Sequence, residues 1–97
     1  MIYSSKLLLN IANNLRLRLT DEMIDYIVAR INYGQALSLV ELSLEISEKD
    51  RSIKCYSTGR PVIYGDLCVL CDELAKRHHG KMLKKSVTDC IYIGDPD

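Results

Sequence analysis

The chain has 97 residues, 47% of them apolar, with six Tyr and no Phe or Trp. It therefore encodes one compact domain, or two half-sized units sharing a core, built on aliphatic side chains. Thirteen Lys/Arg against thirteen Asp/Glu give zero formal charge, which excludes a global field for nucleic acid or membrane and confines anion binding to a local patch.

In chain order, Leu8, Ile11, Ala12, Leu15 and Leu19 recur at helical spacing, with Ser4 or Ser5 as the cap. Thr20 offers a second N-cap, and Asp21 and Glu22 fall in the first turn, where the helix dipole favours carboxylates. Ile24, Ile27, Val28 and Ile31 form the clearest apolar stripe, and Asn32-Tyr33-Gly34 ends that helix, because Gly accepts the left-handed cap. Ala36 to Ile46 reads as a third helix on its Leu, Glu and Ala content, although Leu42, Leu44 and Ile46 also alternate like a strand. The polar run Ser47 to Ser52 connects the halves.

The second half changes character. Ile53 to Ser57 alternates apolar and polar as a short strand, and Thr58-Gly59-Arg60-Pro61 is a turn. Asp66 is the expected N-cap of a helix carrying Leu67, Leu70, Cys71, Leu74 and Ala75 on one face and stopping near Gly80. Lys81 to Lys84 and Cys90 to Ile93 supply two further strands. The expected fold class is α+β: a helical segment, residues 1–51, packed on a small three-stranded sheet with one flanking helix, residues 52–97, around one shared core. No apolar run approaches the roughly 18 residues of a membrane span. Asn10, Asn13 and Asn14 break up the apolar N-terminus, so no signal peptide is expected and the location is expected to be cytoplasmic.

With Cys55-Tyr-Ser-Thr-Gly59, then His79-Gly80-Lys81-Met82, then Ser86 to Asp95 in that order, the stretch from Lys54 to Asp95 resembles the front half of a BRCT repeat, with the flavour of those appended to bacterial NAD-dependent DNA ligases. Cys55-Tyr-Ser-Thr-Gly59 matches the opening strand and Thr-Gly turn, and His79-Gly80-Lys81-Met82 the Gly-Gly-Lys-Val-like element, with His79 in place of the first Gly. Ser86 to Asp95 is similar to the turn and apolar strand that end in Gly-Asp. The chain stops at Asp97, where a repeat would continue into a second helix, a fourth strand and a last helix with a characteristic Trp. The N-terminal helices are expected to cover the sheet that this leaves; a second copy in a homodimer is the alternative.

The resemblance implies phosphate recognition at Thr58, Gly59 and Arg60, through a hydroxyl, a backbone N–H and a guanidinium. The bland alternative is a structural Gly in a turn. A basic cluster follows: Lys76, Arg77, Lys81, Lys84 and Lys85, with His78 and His79 among them, fall within ten positions. Such a cluster suits nucleic-acid phosphates, although basic residues also simply suit the end of a helix. Cys68-Val-Leu-Cys71 lies in a helical pattern with Cys55 and Cys90 far off in sequence, so the cysteines read as reduced buried thiols and no metal or other cofactor is expected. No nucleophile, base or carboxylate pair converges, so the chain reads as a binding module in DNA replication or repair rather than an enzyme. Its expected partner is DNA, or a protein of that machinery. The rival reading is a small phage-type protein–protein adaptor or inhibitor with no nucleic-acid affinity.

Overall fold

The computed structural model describes residues 3–33, 36–86 and 88–94, the side chains of Lys84 and Lys85 excepted. Its architecture is α+β. Helix α1 (Ser5–Asn14) starts where the Ser4 hydroxyl accepts from the Leu7 amide, and it stops at Leu15 because Arg16 turns to a positive φ of 55°. Leu15 is therefore exposed and Leu19 lies beyond the helix, half-buried in the connection. Helix α2 (Asp21–Asn32) is capped by Thr20 as expected, with Tyr33 as its C-cap; the Gly34 expected to cap it lies outside the described residues.

The short strand β1 (Leu37–Ser38) precedes α3 (Leu39–Lys49), so the third helix begins later than its composition suggests and takes in half of the presumed linker. Ser38 is its N-cap, accepting from the Glu41 amide at 3.2 Å. Helix α4 (Ile63–Lys76) starts three residues ahead of Asp66, with Val62 as its N-cap after buried Pro61 and no side-chain cap. Asp66 therefore falls in the first turn, where the helix dipole favours a carboxylate and Arg18 donates to it at 3.2 Å. His78 at φ 64° and Gly80 at φ 85° then reverse the chain into β2 (Lys81–Ser86), and β3 (Asp89–Ile93) follows.

The described sheet is antiparallel in the order β1-β3-β2. Its first strand is not Ile53–Ser57. That segment is irregular apart from a single bridge between Cys55 and Pro61, and residues 54–59 are exposed. The physical reason lies in its inner face: after Ile53 it offers only Cys55 and Ser57, too little apolar area to hold a strand against a core. Its backbone is satisfied locally instead, with Tyr56 N–H donating to Arg60 O and Val62 N–H to Lys54 O, both at 2.9 Å.

Leu37, Tyr92 and Met82 align across the three strands on the face that meets α3 and α4, while Ser38, Ile91 and Leu83 align on the other. One continuous cluster runs from Tyr3 through the buried faces of all four described helices to Tyr92. Ile24, Ile27 and Ile31 are buried in it as their spacing requires, with Val28 at its margin. Each fully buried Leu or Ile contributes about 2 kcal/mol, so the cluster is the main source of stability. No described helix is long and apolar enough to cross a membrane.

Candidate functional site

At the turn, two of the three groups expected to cradle a phosphate, the Gly59 N–H and the Arg60 guanidinium, already have partners within the chain. The Gly59 N–H donates to Tyr56 O at 2.8 Å, and Gly59 is there because its φ is 88°. The Arg60 guanidinium donates to the Thr88 carbonyl and lies 4.5 Å from the centre of the Tyr64 ring, so it joins the loop to the start of α4 and to the β2–β3 turn. Thr58 is exposed. With Gly59, Arg60, and Val40 and Leu44 of α3 it lines a shallow groove of about 300 Å³.

The basic cluster lies elsewhere. Lys76 and Arg77 sit at the far end of α4, about 20 Å from Arg60 at a rise of about 1.5 Å per residue. Each reaches back one turn to an acidic partner, Lys76 to Asp72 at 3.2 Å and Arg77 to Glu73 at 3.1 Å. The structure therefore does not gather the two predicted groups at one point. Strand β2 connects them: it leaves the end of α4 at exposed Lys81 and returns to the turn that Arg60 holds through Thr88. Lys81, Lys84 and Lys85 all lie on this strand. β2 has β3 on one side and no other strand among the described residues, so it forms one edge of the sheet. Opposite Lys84 is Cys90 and opposite Ser86 is Asp89, which leaves Lys85 as the extra residue of a bulge. From Leu74 to Thr88 the chain carries five Lys/Arg and no Asp or Glu. Basic residues thus recur along the chain from the end of α4, where two of them pair with Asp72 and Glu73, through strand β2.

Two features escaped the sequence. Asp89 is no bystander: its carboxylate accepts from the Ser38 hydroxyl at 2.6 Å and the Val40 amide at 3.2 Å, pinning β3 to the N-terminus of α3, where the dipole favours it. A cleft of about 320 Å³ opens between the start of α2 and the end of α3, lined by Met23, Tyr26, Ile46 and Lys49, with the Lys49 ammonium 5.0 Å from the Tyr26 ring centre. The residues lining it come from two segments remote in sequence, and its polar rim also takes in Thr20, Glu22 and Asp50. Of the cysteines, Cys71 is fully buried, Cys68 and Cys90 are half-buried and Cys55 is exposed. Among the described residues no three His, Cys, Asp or Glu side chains gather around a common point to hold a metal.

No protein-family model, curated protein or solved structure matches the chain.

Proposed function

We propose that this protein is a binding module that engages the phosphate backbone of DNA along the β2 edge. The observation that carries this reading is the acid-free segment from Leu74 to Thr88, laid out as an extended basic edge from the end of α4 to the β2–β3 turn. An extended row of cations can meet successive phosphates while the rest of the molecule stays neutral, and each contact adds to a salt-dependent affinity. The BRCT resemblance supports a setting in DNA metabolism. Since Ile53–Ser57 does not form the opening strand that the resemblance implies, and the Gly59 N–H and the Arg60 guanidinium bond within the chain, the reading rests on the β2 lysines rather than on the turn.

The test is binding to short duplexes with and without a 5′ phosphate at two salt concentrations, for the native chain and for a Lys81→Gln/Lys84→Gln/Lys85→Gln variant. Binding should weaken with salt, and the triple variant should show a shallower slope, by about 2 to 3 in log–log terms. Indifference to the 5′ phosphate is expected, because this reading places the contacts along a strand rather than at a DNA end. Absence of binding at low salt would overturn the reading.

A protein partner is the second reading, favoured by Leu83, which stands 49% exposed on the outer face of the same edge strand. It predicts capture of a partner that persists at high salt.

A further inference from the structure

The cleft between the start of α2 and the end of α3 has an apolar floor and a rim that carries charge of both signs. Its volume of about 320 Å³ lies at the small end of the range in which proteins hold small ligands. The floor is made by Met23 and Ile46, both buried, and by the Tyr26 ring. Tyr26 is half-buried, and its hydroxyl donates to Glu45 of α3 at 2.6 Å, so this wall is fixed from behind. The Lys49 ammonium lies 5.0 Å from the centre of the same ring.

Glu22, Lys49 and Asp50 all line the cleft, yet among the described residues Lys49 forms an ion pair with neither carboxylate. Among those residues Glu22 has no hydrogen bond or ion pair. Asp50 accepts from the Ser52 amide at 3.0 Å and the Ser52 hydroxyl at 2.6 Å, both through Oδ1, which leaves Oδ2 available. A ligand of one sign meets a like charge on this rim. A molecule with both charges can turn its carboxylate to Lys49 and its ammonium to the acidic side.

We propose that this cleft binds a free α-amino acid with an apolar side chain. The side chain enters the floor of Met23, Tyr26 and Ile46, the carboxylate pairs with Lys49, and the ammonium pairs with Glu22 and Asp50. An α-amino acid carries its two charged groups on a single carbon, so both stay at the mouth while the side chain points inward. The site uses α2 and α3 and none of the β2 lysines, so it stands apart from the proposed DNA contact. Lys49 and Glu22 are exposed, which makes each ion pair weak alone and places the affinity at about 1 mM.

The experiment follows the amide, methyl and ring NMR signals of the full chain during titration with L-leucine and L-phenylalanine. Two fragments of leucine serve as comparisons: 4-methylpentanoate, which lacks the ammonium, and 3-methylbutylamine, which lacks the carboxylate. The amino acids should give saturable shifts at Met23, Tyr26 and Ile46, and each fragment should bind at least about fivefold more weakly than leucine. Lys49→Gln should weaken leucine binding about fivefold and remove its advantage over the amine, with the rest of the amide spectrum unchanged. Three outcomes would each overturn the proposal: no saturable shift from either amino acid at tens of millimolar, fragments that bind as well as leucine, or an unchanged affinity in Lys49→Gln.

Discussion

Gly80 shows how much a single position carries. Its φ is 85°, and a Cβ there would lie 2.5 Å from the Ile93 carbonyl oxygen and 2.5 Å from the Tyr92 hydroxyl. Tyr92 is fully buried; its hydroxyl donates to the His79 carbonyl and shares a 2.8 Å hydrogen bond with the Tyr3 hydroxyl. Gly59 has nearly the same φ, 88°, but nothing within 4 Å of where a Cβ would stand. Gly80→Ala should therefore cost about 3 kcal/mol, conformational strain plus displacement of β3, against about 1 kcal/mol for Gly59→Ala, strain alone. Urea unfolding of the two variants checks this, and equal costs would show that the close approach of β3 is not what Gly80 permits. Both glycines were legible as punctuation in the sequence. What their neighbours do was not: that Gly59 spends its N–H on Tyr56, or that Arg60 clasps Thr88 and Tyr64, depends on atoms brought together by the fold.

Elements whose cause is local were the readable ones. Ser4 and Thr20 cap the helices they precede, because a hydroxyl at that position answers an amide three residues on. The Leu67, Leu70, Cys71, Leu74 face of α4 is buried for the same kind of reason. Leu37–Ser38 was not readable as a strand, since it is one only by pairing with Ile91 and Tyr92, more than 50 residues away. Nor was the join between α2 and α3. Glu45 on α3 accepts from the Tyr26 hydroxyl at 2.6 Å and from the Arg30 guanidinium at 2.9 and 3.2 Å. Burial pushes the Glu45 carboxyl up, but the Tyr26 and Arg30 hydrogen bonds outweigh it and hold its pKa below the ordinary value. With the folded pKa lowered, this carboxylate's contribution is fully present above its unfolded pKa of about 4.3 and is lost as pH falls through the folded value. Glu45→Gln should cost about 1 kcal/mol at pH 7, since the group stays partly exposed, and less at acid pH. Melting temperatures of both proteins from pH 7 to pH 3 should converge; a constant gap would remove the charge from the account.

At the scale of the molecule the two halves have one core. Leu8, Ile11, Ile24 and Ile27 of the first half are buried in the same cluster as Leu67, Leu70, Leu74 and Tyr92 of the second. β1, from the first half, is also an outer strand of the sheet, beside β3. A fragment starting at Ser52 should consequently lack cooperative urea unfolding, because it would expose the apolar face of α4 and lose one strand of three. A soluble fragment with a sharp transition would overturn that architecture. The sequence by itself determined the helical stripes, the N-caps of the first two helices, the two C-terminal strands, the α+β class and the concentration of positive charge after Leu74, all properties of neighbours along the chain. Only the tertiary structure decided which segment completes the sheet, and that the turn and the Lys76–Arg77 pair sit at opposite ends of α4. Those are facts about residues far apart in sequence, and burial and backbone pairing across the whole core select them, where periodicity is silent.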